Sequence, residues 1–205
     1  MTSTKGGQNF EFFTPETKPF GLTYGQWTVK WWQWLTSIPM DINPAGDQTG
    51  EYAGVNQNDP HVWFLAGTFG GKTVNRKCRL PVGKSVLFPV INYEMNSLEN
   101  PHLETDSELI RHVTNDEDDI TNLEAVMDGQ GIPICRVRSD PLVFPLTMLP
   151  NNPFNTSVAG ATRATSDGFW IFIKHLDPGE HHLYFAGSCS AGSRCVKVTY
   201  SLMVG

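Results

Sequence analysis

Glu94 is the first residue whose place in the chain could do chemistry. It stands in Ile91-Asn92-Tyr93-Glu94-Met95-Asn96, directly after the apolar run 86–91, where a strand would enter a loop. A carboxylate held there by a rigid strand can act as a general base or a metal ligand. In an extended chain Asn92 falls on the same side and forms a polar pair with Glu94. Tyr93, between them, joins Asn92 as a candidate ligand contact. The plain alternative is a strand-end carboxylate bonded to backbone.

Glu108 and His112 form a second candidate. At i and i+4 on a helix they share a face and can present a carboxylate and an imidazole to one cation. Asp116 is the third ligand if it converges on them. With Glu94 nearby, Glu94 and His112 would be the catalytic pair and a divalent metal the cofactor. An ordinary surface pair is the alternative. His181 shares strand parity with Leu183 and Phe185, so it or His182 faces the apolar side. It is either a satisfied core histidine or a proton-transfer and ligand-contact group. Several other chemistries are excluded. There is no Gly-x-Ser-x-Gly and no phosphate-loop motif. The segment Gly67-Thr68-Phe69-Gly70-Gly71-Lys72 has the wrong spacing for one and reads as a hairpin turn. No Cys-x-x-Cys or Cys-x-His occurs, which argues against zinc.

The elements that must position these groups are mostly strands. Residues 23–38 are the clearest helix. Thr23 and Gln26 make a capping box, and Trp27, Trp31, Trp34, Leu35 and Ile38 fall on one face before Pro39 stops it. Trp32 lies about 100° from Trp31 around the axis, on a part-exposed flank, and is the candidate platform for a sugar. A second helix is expected over 105–114, with Thr105 and Glu108 as capping box. The acidic run 116–119 then reads as a solvated turn. Short apolar or alternating runs at 61–68, 84–92, 123–127, 132–137, 142–149, 168–176, 181–187 and 196–204 read as strands. Pro89 implies a bulge or an edge in the second of these. Asp128-Gly129 marks a hairpin turn. Residues 40–60 read as a long, oxygen-rich loop.

Composition agrees. The chain has 205 residues, 18% of them charged and 11% aromatic, with 19 Gly and 14 Pro. The net charge of −6 argues against a nucleic-acid partner. No apolar run is long enough for a transmembrane helix. The expected architecture is all-β: one jelly-roll-like β-sandwich with two helical insertions, spanning 20–205 behind an N-terminal arm, 1–19. Cys189 and Cys195 bracket a short loop that a disulfide could close, and Cys78–Cys135 follows by elimination. Buried thiols are the alternative. The first residues carry no apolar core, so no signal peptide is expected in this chain.

The order WWQWLTSIP, NPAGDQTG, HVWFLAGTFGG, CRLPVGKSVLFPVINYE and DGFWIFIKHLDPGEHHLYFAG resembles an uncharacterised family of bacterial and archaeal proteins, from about residue 22 onward. That resemblance implies no assigned activity. It implies an extracytoplasmic, secreted or periplasmic location, because members typically carry signal peptides. Relatives often place a cysteine near the position of Tyr52, where it could pair with the equivalent of Cys78. This chain has none there.

Three functions follow as expectations. The first is an extracytoplasmic binding or surface protein. It would meet a small molecule, glycan or envelope component through Trp32, Asn92, Tyr93, His181 and the 40–60 loop. The second is a hydrolase-like enzyme using Glu94 with Glu108 and His112. The third is a self-assembling homo-oligomer, in which the Phe10–Phe13 arm pairs with a neighbour's sheet edge.

Overall fold

The computed structural model describes residues 9–71, 73–190 and 195–205. Its first long element is helix α1, Tyr24–Thr36, opened by the expected capping box: Gln26 N donates to Thr23 Oγ1 and Thr23 N to Gln26 Oε1. Ten strands and a second helix follow. They are β1 Val62–Phe64, β2 Val74–Leu80, β3 Ser85–Asn96, α2 Asp106–Asp118, β4 Ile120–Met127, β5 Gln130–Gly131, β6 Cys135–Arg138, β7 Phe144–Met148, β8 Gly160–Ile173, β9 Gly179–Cys189 and β10 Cys195–Val204.

The strands form two mixed sheets packed face to face, a β-sandwich-like arrangement. One sheet runs β1-β3-β8, with β6 and β7 both on the far edge of β8. The other runs β2-β10-β9-β4-β5. Two pairs are parallel, β1 with β3 and β2 with β10, and the rest are antiparallel. Parallel pairing requires a long return path. β1 reaches β3 only after the chain has visited the other sheet through β2.

The inter-sheet core takes Val86, Phe88 and Val90 of β3 and Ile171 and Ile173 of β8. They meet Leu183, Phe185, Val198, Tyr200 and Leu202 of the second sheet. The outer face of the first sheet is covered as well. There α1 lays Trp27, Trp31 and Leu35 over Leu87, Trp170 and Phe172. Burial on both faces explains why β3 reads as an unbroken apolar run and not as an alternation. Burying one large side chain in such a layer contributes about 2–3 kcal/mol, so burial of the tryptophan face is the main force that holds α1 on the sheet.

The register of β3 shifts between Pro89 and Ile91, a β-bulge just past the end of its pairing with β1 at Leu87. Proline has no N–H to give the ladder, and a bulge is where a sheet tolerates it. The extra residue resets the alternation. Val90 and Ile91 both face the second sheet, where a Cβ on Gly187 would stand 2.8 Å from Ile91. Asn92 and Glu94 therefore turn to the α1 side.

Several expectations change. β2 carries little apolar signal, because Asn75, Lys77 and Arg79 alternate with the buried Val74, Arg76, Cys78 and Leu80. Residues 132–137 do not complete a hairpin. The Asp128-Gly129 turn forms, both residues at positive φ, but β5 is two residues long and β6 crosses to the other sheet. Helix α2 runs through the acidic segment to Asp118. Glu117 is buried against the sheet and Asp118 pairs with Arg136 Nη1 at 2.6 Å, which holds the last turn in place against an unfavourable dipole.

The arm lies on its own domain. Phe12 bridges Ile173, Phe13 N donates to Phe172 O (2.9 Å), and Lys174 N donates to Glu11 O (2.8 Å). The rest of the arm, 1–8, falls outside the described residues.

No disulfide is present among the described residues. Cys78 points into the inter-sheet core, whereas Cys135 packs on the α1 side of the other sheet, so the two cannot meet. Cys195 stands opposite Ser188 in the ladder, which puts Cys189 on the other face of the sheet from Cys195. Residues 191–194 of the loop between them lie outside the described residues.

Candidate functional site

Helix α1 and the bulged stretch of β3 past β1 border a cavity of about 300 Å³ that also reaches the Gly67–Gly71 loop and Cys195 and Val196 of β10. Its walls include Trp31, Trp32, Asn92, Glu94, Phe154 and Phe69. A pocket of this kind, mostly apolar with a few convergent polar groups, is the usual form of a small-ligand site.

The tryptophans of α1 identify the open side. Three of the four indoles are hydrogen-bonded to carbonyls of flanking loops. Trp27 Nε1 donates to Pro19 O (2.9 Å), Trp31 Nε1 to Leu65 O (2.9 Å) and Trp34 Nε1 to Val55 O (3.0 Å). Trp32 is only 4% exposed, yet its Nε1 has no partner among the described residues. The expected part-exposed flank is thus a buried wall. Trp32 packs at 4.9 Å edge-on to Trp31 and at 6.2 Å from Phe154.

The sheet below carries further unpaired polar atoms. Asn92 Nδ2, Glu94 Oε1, Ser166 Oγ and Trp170 Nε1 are all buried without a partner among the described residues. Register places them on one face. Asn92 pairs with Gly168 and Glu94 with Ser166 across the β3–β8 ladder, and Trp170 lies two residues beyond Gly168. Gly168 makes this packing feasible, since a Cβ there would sit 2.6 Å from both Asn92 Cβ and Trp170 Nε1. Most buried polar groups in folded proteins are hydrogen-bonded, so a cluster of unpaired ones beside a cavity points to a bound partner.

Glu94 is part-exposed as a residue, but its Oε1 is fully buried. Oε2 accepts from Asn96 Nδ2 at 3.3 Å. Burial pushes the carboxyl up to about 8. The Asn96 amide opposes that shift, and the Glu99 carboxylate adds to it. At neutral pH the group is therefore largely an uncharged acid, able to donate from one oxygen and accept at the other.

A residue that sequence reasoning missed shapes the rim. Arg76 is 2% exposed and makes no ion pair among the described residues. Its Nη1 donates to Ala66 O, Gly67 O and Tyr200 Oη (2.8 Å each), its Nε to Asp47 O (2.7 Å) and its Nη2 to Ala45 O (3.2 Å). Ala45 and Gly67 line the cavity, so one guanidinium ties together the two loops that form its edge. The only trace in the sequence is an arginine at an inward position of an alternating strand.

The other candidate residues do not join this site. Tyr93 is the exception in that it lines the cavity, but it alternates with Asn92 and Glu94 along β3. It stands opposite Asp167, whose carboxylate meets Arg136 and Arg138 on the side where α2 packs. Glu108 is spent on the α2 cap, its Oε2 accepting from Thr105 N and Oγ1 at 2.9 Å each. His112 is exposed on α2. Helix α2 lies on the face of the sheet opposite to Glu94. Glu94, Glu108, His112 and Asp116 therefore do not converge, and among the described residues no group of three or more His, Cys, Asp or Glu is placed to hold a metal. The metal centre and the Glu94–His112 pair are not supported. His181 is a satisfied core residue, with Nδ1 2.7 Å from Asp128 Oδ2 and Nε2 2.9 Å from Asp177 O. It lies at the far end of β9 from Gly187, away from the cavity. The oxygen-rich loop is likewise occupied with itself. Asp47 accepts from Thr49 N (2.8 Å) and Tyr52 N (3.0 Å), and Asn43 Nδ2 donates to Leu35 O and Ile38 O.

No family model matches the chain, and no curated protein matches it. Among solved structures, the solution structure of amebosin is similar at a TM-score of 0.23 and 11% identity, covering 72% of this chain and 100% of that one. A likeness at that level carries no argument about fold or function. Among the described residues no helix is long and apolar enough to cross a membrane.

Proposed function

We propose that this protein is an extracytoplasmic binding protein that takes one uncharged sugar unit of a glycan or envelope polymer into the cavity under α1. One observation carries the reading. In a cavity walled by aromatic rings, Trp32 Nε1, Asn92 Nδ2 and Glu94 Oε1 are buried and unpaired among the described residues, while the other three indoles of α1 are paired. A sugar supplies what those groups lack: a C–H face for the rings and hydroxyl oxygens for the polar atoms. Among the described residues Glu94 is the one ionisable carboxylate or cation on the wall, which favours a neutral ligand.

The test is a titration of neutral mono- and oligosaccharides, followed by tryptophan fluorescence and by calorimetry. Trp31 and Trp32 line the cavity, so a saturable fluorescence change is expected, and Trp32→Ala removes it. No heat and no fluorescence change with any neutral sugar at millimolar concentration overturns the proposal.

A hydrolase-like second reading rests on Glu94 alone, as an acid held neutral inside a cavity. It predicts turnover of a bound glycoside that Glu94→Gln abolishes while binding persists.

A further inference from the structure

The wall of the cavity includes six consecutive residues of β3, 89–94. Neighbouring side chains on a strand point to opposite faces, so six in a row border one cavity only where it lies along the strand's edge. β8 pairs with one edge of β3 from Val86 to Asn96, but β1 pairs with the other only from Ser85 to Leu87. Two features end the β1 pairing. Leu65 N donates to Leu87 O (3.0 Å), but the next residue that faces this edge is Pro89, which has no N–H. Arg76 Nη1 then draws the carbonyls of Ala66 and Gly67 away, at 2.8 Å each.

Past the bulge the edge stays open. Ser166 stands opposite Glu94, yet both its backbone groups turn away to Ser139: Ser139 N donates to Ser166 O (2.9 Å) and Ser166 N to Ser139 Oγ (3.2 Å). Glu94 and Ser166 are thus a pair that exchanges no backbone bond, and by alternation Asn92 and Asn96 face the same way as Glu94. Asn96 O accepts from Asn100 N (3.1 Å). The N–H and C=O of Asn92 and Glu94 point along the open edge, and among the described residues nothing bonds them. They form a row of donor and acceptor repeating about every 7 Å, the period of a strand. Another extended backbone matches that row, as β1 does at Leu87. We infer that the sugar arrives on an extended peptide, whose backbone adds to the open edge of β3 in line with β1. This rests on the sugar-site reading and names its ligand class, a glycosylated polypeptide. Cross-strand neighbours share a face. In the added strand the residue opposite Asn92 or Glu94 therefore sends its side chain toward α1, where Trp32 and Phe154 stand. A serine or threonine there carries its O-linked sugar in among the rings.

The experiment is a calorimetric panel on the full chain. It compares the methyl glycosides of glucose, galactose and mannose, an end-blocked five-residue β-forming peptide with a central serine, and the same peptide with each sugar O-linked to that serine. The best glycopeptide is expected to bind at least about tenfold more tightly than its methyl glycoside and than the bare peptide, because it alone fills the pocket and pairs the row. A scan then replaces each peptide amide in turn by an ester, which removes one N–H and keeps the shape. Only alternate N–H groups of a paired strand face its neighbour. Affinity should fall about threefold or more at every second position and hold at the others.

Equal affinity for a methyl glycoside and its glycopeptide overturns the inference and leaves the sugar site standing. A flat ester scan also overturns it, because the peptide is then not held as a strand. A bare peptide that binds as tightly as every glycopeptide overturns it too, since the sugar then adds nothing, and the methyl glycosides decide the sugar site alone. Failure of every glycoside and glycopeptide to bind removes the inference and the sugar site together.

Discussion

Glu94→Gln tests the electrostatics of the cavity floor without any ligand. In the folded protein the carboxyl ionises at about 8, and in the unfolded chain at about 4.5. A folded value raised above the unfolded one means that the group's stability contribution is fully present below about 4.5. It is lost as pH rises through about 8. Between those limits the unfolded chain sheds a proton that the folded one keeps, and each pH unit removes at most about 1.4 kcal/mol. From about 4.5 to 7 the ceiling is thus about 3 kcal/mol. Part of this is relieved, because Asn96 already bonds Oε2 and the residue is not fully enclosed. The glutamine side chain introduced by Glu94→Gln has the same shape and no proton to lose. The variant's stability is expected to match the parent at about pH 4.5 and to exceed it by about 1–3 kcal/mol at about pH 7. Urea denaturation at half-unit intervals from about pH 4.5 to 8.5, read by far-UV circular dichroism, measures both curves. Parallel pH profiles for parent and variant would refute the account of Glu94 as a buried, neutral acid.

Glu117→Gln should act in the same direction. Burial and the neighbouring Asp167 raise the Glu117 carboxyl to about 9 against the pull of Arg136, so its contribution also fades as pH rises from about 4.5 through about 9. The double variant with Glu94→Gln should have nearly flat stability between about pH 5 and 8, and a slope as steep as the parent's contradicts this. Arg76→Met strips five hydrogen bonds from buried acceptors. It is expected to cost about 3 kcal/mol or more and to weaken ligand binding in the folded fraction, measured by denaturation and titration. Gly168→Ala drives a methyl into Asn92 and Trp170. A loss of about 1–3 kcal/mol is expected, seen as a lower urea midpoint, and an unchanged midpoint would show that β8 gives way easily.

Local rules were enough for a good part of this protein. The capping boxes at Thr23 and Thr105, the tryptophan face of α1 and the Asp128-Gly129 turn were legible because each depends on residues a few positions apart. The polar strand β2 and the polar first half of β8 were not, since pairing with β10 for the one, and with β7 and β3 for the other, makes them strands despite their composition. Glu94, Asn92 and Trp32 were legible as candidates from residue type and local position. Their meeting was not, and neither was the role of Arg76, whose five acceptors come from distant parts of the chain.

The bulge at Pro89 shows where the boundary lies. Residue order alone dictates that a proline interrupts an apolar run and that a bulge or an edge must accommodate it. Strict alternation from Val86 would have carried Asn92 and Glu94 into the inter-sheet core with Phe88 and Val90. The folded chain uses both bulge and edge, because β1 covers β3 only at Ser85–Leu87 and Pro89 lies beyond it, with β8 as its paired neighbour and no strand paired to its other edge among the described residues. The proline sits on that open edge, and the bulge beside it adds one extra residue against β8. That residue turns Asn92 and Glu94 toward Trp32 and sets the candidate site on the α1 face. Helical and turn signals are short-range steric and hydrogen-bonding preferences. The face a side chain takes beyond a bulge depends on which strands pair, and pairing is settled by contacts far apart in the chain.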